Sequence, residues 1–361
     1  MSTTIGTGYG VLPSLTSNAS AVHQQLDTLT EQVSTGLVAQ TYAGLGSQAG
    51  LALDLNPQIS ALQAYQTNIS QATGSMQVTQ TAMTQIQQIA STFADDIPNL
   101  NNLNPSETDS IAAQANQALQ QVADLLNTQD AGNYVFAGQD TGNPPVPSGD
   151  AILSSGFYTQ INAAVASLST NGASATAAAT LAIASSNASG TSPFSTYLSQ
   201  PAASISAPVV QTGEGGTVQT GLLASANSVA VSSGSSTTGS YMRDLMRALA
   251  TLGSLSSSQV NDPNFAALVQ DTGTSLTGVV SAMAVDVGVL GHTQSSLTST
   301  QTQLSDMTTA LTGQLSSVQD VDMASTLSQL TSVQTQLQAS YRMITGENSL
   351  SLLNYLPAAT A

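Results

Sequence analysis

The chain has 361 residues, and its 20 acidic residues stand against 3 Arg and no Lys, which gives a net charge of −17. Binding of nucleic acid requires a basic surface, so nucleic acid is excluded as a partner and an anionic membrane is disfavoured. The chain has no Cys, which excludes disulfides, a thiolate nucleophile and a zinc site built from cysteine.

The N-terminal segment MSTTIGTGYGVLPSL is uncharged and lacks the basic start and apolar run of a cleaved secretory signal. No membrane span is predicted, so we expect a protein that stays in the cytosol or leaves by a route without a cleaved signal. Gly6, Gly8 and Gly10 do not form a phosphate loop, because no strand precedes them and the chain has no Lys. From Leu15 to Leu37 an apolar stripe at helical spacing predicts the first helix.

A second helix is predicted after Pro57, beyond a glycine-punctuated break at 41–50. Its apolar side chains recur every seven residues and form the seam of a long coiled-coil helix. The seam consists of Leu62, Ile69, Met76, Met83, Ala90 and Ile97.

Two prolines, Pro98 and Pro105, bracket a predicted turn before the third helix. Ser106 and Asp109 have the spacing of a helix N-cap motif, and the helix is expected to end near Thr128. The following run, 130–138, predicts a turn and a short β-prone segment.

Residues 141–240 differ in composition from the rest of the chain. Only Asp150 and Glu214 are charged, whereas 11 residues are Gly and 33 are Ser or Thr. Low hydrophobicity is typical of a disordered linker. The aromatic and Val residues between Phe157 and Val218 instead favour a small folded insert, and we expect that insert to be β-rich.

The C-terminal third has the most regular pattern in the sequence. A strict spacing of seven joins Leu276, Met283, Leu290, Leu297, Leu304, Leu311 and Val318. A last helix is expected to continue to Ile344. Seams at both ends of one chain predict a mainly α protein, an elongated antiparallel helical bundle or coiled coil in which the insert joins the two halves.

The polar residues give no catalytic, cofactor or metal site. Asp95 and Asp96 point about 100° apart on a helix and are expected to be solvated. Asp320 and Asp322 are expected to cap a helix N-terminus. Arg243 and Arg247 lie four residues apart on one helical face. This spacing is equally consistent with an ion pair to a facing helix and with ordinary solvation at the surface.

Five segments of the chain resemble the flagellin family of bacterial axial proteins. The residues 26–36 are similar to its L-x-x-L-x-x-x-[IVL]-[ST]-[ST]-G segment, and 127–138 to its N-x-x-x-x-G-x-Y-[IVL]-F-[AS]-G turn. The helix over 58–83, the D-x-D-[LMY]-A motif in 318–324 and the closing helix over 340–356 are also similar. The family usually carries basic residues and an acidic pair after the first segment. They are absent here, so contacts that depend on those charges are not transferred.

The resemblance implies a structural, non-enzymatic protein outside the cell, exported without a cleaved signal peptide. Its terminal segments, 1–45 and 320–361, would be axial helices that are disordered in the monomer. The segments 46–140 and 241–319 would form a helical rod, with 141–240 as an outward-facing insert. Expected partners are neighbouring axial proteins (a hook-associated protein and flagellin), copies of the chain in a ring and an export chaperone.

The resemblance leaves three functions open. The first is a structural protein that joins the hook to the filament, and its alternative is a flagellin that polymerises into the filament itself. A third, of another class, is a secreted adhesin or enzyme whose insert does the work. The insert contains no His, which disfavours this third function.

Overall fold

The structure is a computed structural model that describes residues 11–100, 105–231 and 236–349. It is 71% helical and 5% strand, so the predicted mainly α fold is confirmed. The helices are α1 (Val11–Thr35), α2 (Ala49–Leu100), α3 (Pro105–Leu126), α4 (Gly149–Ile152), α5 (Gly156–Ala166), α6 (Leu168–Asn171), α7 (Ala173–Ser185), α8 (Tyr241–Gly253), α9 (Phe265–Gln319) and α10 (Met323–Ser349). The strands are β1 (Gln129–Asp130), β2 (Asn133–Tyr134), β3 (Val209–Gln211) and β4 (Thr217–Gln219). The glycines at 6, 8 and 10 and the closing run 350–356 lie outside the described residues.

The predicted start of the second helix was wrong. Helix α2 begins at Ala49 and contains Pro57, and it continues through Pro98 to Leu100. A proline inside a helix removes one backbone hydrogen bond. Here Ala52, Leu55 and Ile59 on either side of Pro57 are buried, and their packing offsets the lost bond.

The chain forms two compact units, residues 1–62 with 306–361 and residues 63–305. We call them the terminal unit and the central unit. In the terminal unit α1 packs along α10. Between α1 and α2 a 3₁₀ segment, Tyr42–Gln48, is broken at Gly46, whose φ of 58° is favourable only for glycine.

In the central unit α2 and α9 run antiparallel. The Gln294 amide donates to Gln77 Oε1 over 3.0 Å, and a side chain at Gly273 would collide with Ile97. A residue near the end of α2 thus contacts a residue near the start of α9, as expected for antiparallel helices. The predicted seams are buried here from Ile69 to Ile97 and from Leu276 to Leu297, which confirms the heptad assignment over these spans.

The expectation of a β-rich insert was wrong. Within 141–240 the described residues form four helices, α4 to α7, and one hairpin in which Val209 pairs with Gln219. In α7, seven of 13 residues are Ala, the strongest helix former. Helix propensity therefore outweighs the aromatic and Val residues that suggested strands.

The seam helix α9 is long and apolar enough to cross a membrane by length and composition alone, in contrast to the sequence-based expectation of no span. Its seam side chains are buried in the central unit at Leu276, Met283, Leu290 and Leu297, whereas Val285 is 49% exposed. The core helix of a helical bundle meets the same criteria as a membrane span, so length and composition alone do not make α9 a membrane span.

Candidate assembly surface and buried polar network

The two connections at the base of the terminal unit are joined by an antiparallel β-bridge between Leu37 and Asp320. Val38 N–H donates to the Gln319 carbonyl over 2.7 Å, and Val321 N–H donates to the Gly36 carbonyl over 3.0 Å. Gly36 has a φ of 73°, which a residue with a side chain adopts only at a cost. The glycine that closes the first family-like segment thus allows the chain to turn into this bridge.

Helix α10 is capped by the second of the two aspartates predicted to cap a helix. The Asp322 carboxylate accepts from Ala324 N–H over 3.0 Å and from Ser325 N–H over 3.2 Å. Asp320 lies in the bridge and does not cap. In the Asp-Val-Asp-Met-Ala motif, the first aspartate therefore belongs to the β-bridge between the two connections, and the second caps the N-terminus of α10.

Helices α1 and α10 bury few side chains between them. The buried residues on this pair are Ala19, Leu29, Thr326, Val333 and Leu337. Among the side chains that the structure describes on these two helices, the exposed large apolar ones lie on α10: Met323, Leu327, Tyr341 and Met343, which are 41–56% exposed. Helical spacing places Met323, Leu327 and Tyr341 on one side of α10 and Met343 on the opposite side. The exposed apolar side chains therefore lie near the two ends of the helix, and in water each of them lacks an apolar partner.

The exposed charges of the terminal unit are mostly acidic. His23 is exposed, and its Nδ1 lies 3.1 Å from Asp27 Oδ2. Arg342 is exposed on α10. No described side chain forms an ion pair with Arg342.

In the central unit, every residue of α8 is buried, including two of the three Arg residues in the chain. The prediction that Arg243 and Arg247 are solvated at the surface is therefore wrong, because both guanidinium groups are buried. Arg243 donates to the carbonyls of Ala184 and Ser186 and to Asn187 Oδ1, over 2.9, 3.3 and 2.7 Å. Its guanidinium also stacks 4.8 Å from the centre of the Phe194 ring. Arg243 therefore fixes the end of α7 to α8.

Arg247 forms the predicted ion pair to a facing helix. Its Nη1 lies 3.7 Å from Asp271 Oδ2 on α9, and its Nη2 donates to the Ser236 carbonyl over 2.8 Å. Burial lowers the pKa of Arg247, and the charges of Asp244 and Asp271 oppose that effect. Burial likewise lowers the pKa of Arg243, and the negative charge of Asp244 opposes that decrease.

Asp286 is fully buried and lies within the seam of α9, three residues after Met283. Its carboxylate accepts from the backbone N–H groups of Ser228, Val229 and Ala230, over 2.7, 2.9 and 2.8 Å. Three donors compensate a buried carboxylate for its lost hydration. Asp286 thus holds the loop that leads from the insert back to α8.

The first residue of α8, Tyr241, is buried, and it lies close enough to Asp286 for the carboxylate charge to affect the pKa of its phenol. The pKa of the phenol is raised well above 10.0, first by burial and then by the negative charge of Asp286. The hydroxyl has no hydrogen-bond partner of good geometry among the described residues. The phenol is therefore neutral at physiological pH.

Other aspartates also bind loop backbone. Asp109 accepts from Ser257 N–H over 2.7 Å, and Asp124 accepts from Gly149 N–H over 2.8 Å. Asp109 was predicted to belong to a helix cap, and the structure instead shows that it joins α3 to a distant loop. Within the described ranges, no group of three His, Asp or Glu residues could hold a metal.

Sequence reasoning missed Asp286, although a signal was present. A carboxylate at a seam position, in the run Val285-Asp286-Val287, contradicts an apolar stripe and points to a buried polar contact. The burial of both Arg residues could not be decided from spacing alone. The fit of the loops around α8 determines it.

Comparison with known proteins assigns the two ends of the chain. Residues 11–141 match the family model described as the bacterial flagellin N-terminal helical region, and residues 274–356 match the model of the bacterial flagellin C-terminal helical region. Together they cover more than half of the chain. The chain belongs to the flagellin family. Its members are structural, so the chain is a structural axial protein of the bacterial flagellum.

One solved structure with a similar fold is from Vibrio parahaemolyticus and is described as a candidate flagellar hook-associated protein. The similarity covers 75% of this chain and 97% of that one, with 13% sequence identity and a TM-score of 0.51. At this identity the likeness concerns the fold. No curated protein matches the chain.

Proposed function

We propose that the protein joins the hook of the flagellum to its filament, and that the α1–α10 pair is the surface by which it assembles. The observation that carries the proposal is the exposure of four large apolar side chains on α10, in a segment that belongs to the flagellin C-terminal region: Met323, Leu327, Tyr341 and Met343. These side chains need a neighbouring subunit to leave water.

Two further observations favour the junction over the filament. The short insert, 141–240, and the turn Asn-Tyr-Val-Phe-Ala-Gly over 133–138 are more typical of the junction protein than of filament flagellins. The solved structure of similar fold is described as hook-associated. On this proposal the partners are a neighbouring hook-associated protein, flagellin, copies of the chain in a ring and an export chaperone. The division into axial helices (1–45 and 320–361), rod and insert belongs to the same proposal.

The net charge of −17 also supports a protein that does not polymerise alone, because like-charged copies repel at low salt. A filament protein must bind its own copy without limit, whereas a junction protein binds unlike partners above and below. We expect the purified protein to remain monomeric when salt is raised or filament seeds are added. Long tubes grown from the pure protein would establish the filament role instead.

Deletion of the gene tests the proposal in cells. We expect hooks without attached filaments and flagellin shed into the medium, and we expect the wild-type protein to restore attachment. Cells that keep normal filaments after the deletion would refute the junction role. Cells that lose flagellin polymer altogether, with no flagellin in the medium, would indicate that this chain is itself the filament subunit.

A further inference from the structure

Three exposed valines surround the point where Asp286 holds the loop of the insert. Val285 precedes Asp286 on α9 and is 49% exposed. The loop whose backbone N–H groups the carboxylate binds contains Val229 and continues to Val231, and these are 60% and 85% exposed. Ala230, between them, packs against the core, so the two valines on either side of it face solvent. We call Val229, Val231 and Val285 the valine patch.

A groove with an apolar floor lies between α2 and α3 in the same unit. Its volume is about 630 Å³. Ile89 and Leu125 line it and are half-buried against the core, so they form its floor. The other lining residues are polar: Gln85, Gln88, Thr92, Gln121 and Asp124. We call this cavity the α2–α3 groove.

The valine patch faces away from α2. The residues through which α9 contacts α2 include Gly273, Gly291 and Gln294. At about 100° per residue, Val285 lies about 140° around α9 from the average direction of these three. The patch therefore lies on the flank of the central unit that is remote from α2.

The α2–α3 groove lies on the opposite flank. The residues through which α2 contacts α9 include Gln77, Gln80 and Ile97. The α2 residues of the groove, within 85–92, lie about 140° around α2 from the average direction of these three. One copy of the chain therefore presents a protruding apolar surface on one flank and a recessed apolar surface on the other.

The two surfaces also lie at the same level along the antiparallel pair α2 and α9. Gln77 lies beside Gln294, and Ile97 lies beside Gly273. Val285 is near the middle of the α9 span 273–294, and the groove residues are near the middle of the α2 span 77–97. A neighbouring copy can thus bring its groove to the valine patch without moving up or down the rod.

The charge distribution favours a second copy of the chain as the occupant. Residues 63–94 and 272–305 contain one Asp, Glu, Lys or Arg between them, Asp286, and it is buried. Copies with a charge of −17 repel each other wherever their carboxylates approach, so they meet at the lowest cost along this uncharged stretch. A partner of opposite charge would instead gain most at the acidic parts of the chain.

We propose that the valine patch of one copy docks into the α2–α3 groove of the next copy. The proposal rests on the ring of copies in the proposed function. A protrusion and a groove on opposite flanks form a heterologous contact, which repeats from copy to copy. Because both surfaces lie at one level, each contact adds a copy beside the last one without an axial step, as a closed ring requires.

The first experiment places a carboxylate in the contact and counts the copies retained on isolated flagella, with the amount in the medium as a measure of export. Val285→Glu is expected to lower retention at least about threefold, because an apolar contact is lost and the new charge approaches Asp124 of the next copy. Ser299→Glu is the matched control, since it adds the same charge on the same side of α9 about 21 Å away, and it should retain near wild-type levels. Both positions are exposed, so both purified variants should unfold within about 1 °C of the wild type.

A second substitution across the contact separates docking from a local effect on the helix. Gln88→Lys, on the rim of the groove, is expected to restore most of the retention that Val285→Glu loses, because the two new charges attract each other in neighbouring copies. Equal retention of Val285→Glu and Ser299→Glu, or no recovery in the double variant, would overturn the proposal.

The last experiment identifies the partner and exploits the absence of Cys from the chain. Copies with Ser281→Cys, one turn before Val285, are co-expressed with differently tagged copies that carry Gln88→Cys. The matched control replaces Gln88→Cys by Thr67→Cys, which lies on the same side of α2 about 30 Å away. All three positions are exposed. Isolated flagella are then treated with a short bis-maleimide.

The expected result is a cross-linked dimer of the two tagged copies with Gln88→Cys and not with Thr67→Cys. No such dimer, equal dimer with both positions, or cross-linking of Ser281→Cys to a different axial protein would overturn the proposal. Dimers found along whole filaments would refute the junction role and leave the contact supported. Protein confined to the junction without dimers would refute the contact alone, so the two proposals fail separately.

Discussion

Truncation of Leu297 to Ala tests the buried seam of the central unit. Leu297 is 1% exposed, and it is the last fully buried position of the regular α9 spacing. Leu304, the next position along, is only half-buried against the same core. The strict spacing of seven predicts that both are buried, and the structure shows full burial for Leu297 and only partial burial for Leu304.

A Leu→Ala change at a buried site lowers the free energy of unfolding by about 2–5 kcal/mol, because apolar contacts are lost and a cavity remains. At about 2 °C per kcal/mol for a unit of this size, Leu297→Ala should lower the thermal midpoint by about 4–10 °C. Leu304→Ala should have a clearly smaller effect.

Calorimetry of the purified protein, with circular dichroism as a second probe, checks this order. Gln303→Ala, at an exposed position of the same helix, is the matched control and should leave the midpoint within about 1 °C, as expected for a surface substitution. If Leu297→Ala shifts the midpoint no more than Gln303→Ala, the seam assignment and the packing of α9 in the central unit are wrong.

Three other changes test the buried polar network and the distribution of charge. Asp286→Asn removes one of the two oxygens that accept from the loop, so the amides of residues 228–230 should exchange hydrogen at least about fivefold faster; unchanged exchange would show that the carboxylate does not hold the loop. The pKa of Tyr241 is raised in the folded state, so its stabilising contribution is complete below pH 10 and is lost as the pH rises above 10 towards the folded pKa. Urea titrations between pH 9 and 11.5 measure this loss as a fall in the free energy of unfolding with pH. For Tyr241→Phe the slope of that fall should be smaller than for the wild type, by up to about 1.4 kcal/mol per pH unit. The exposed control Tyr341→Phe should have the wild-type slope. Trypsin should cut the folded protein only after Arg342, and early cleavage in α8 would contradict the burial of its two Arg residues.

The regular helices could be predicted from the sequence because their packing repeats. A spacing of seven from Ile69 to Ile97 and from Leu276 to Leu297 requires one buried face, whatever the partner helix is. The resemblance at the two ends was also sufficient to assign the family. Both signals depend on many residues at once, so Pro57 displaced the predicted start of α2 without obscuring the seam.

The insert and the buried network could not be predicted, because each depends on contacts between distant segments. The Ala residues of α7 favour a helix locally, but the surrounding Ser, Thr and Gly are typical of a linker, and the aromatic and Val residues of the insert suggested strands. The burial of Arg243 depends on carbonyls of Ala184 and Ser186, about 60 residues away and without a sequence motif. The role of Asp286 depends in the same way on a loop from the insert.

The position of the protein along the flagellum tests the central claim most directly. An epitope-tagged, functional copy labelled with gold-conjugated antibody can be located on isolated flagella by electron microscopy. The junction role predicts label confined to a narrow zone where the hook meets the filament, with none along the filament. Continuous label along the filament would contradict the account and establish the chain as a filament flagellin.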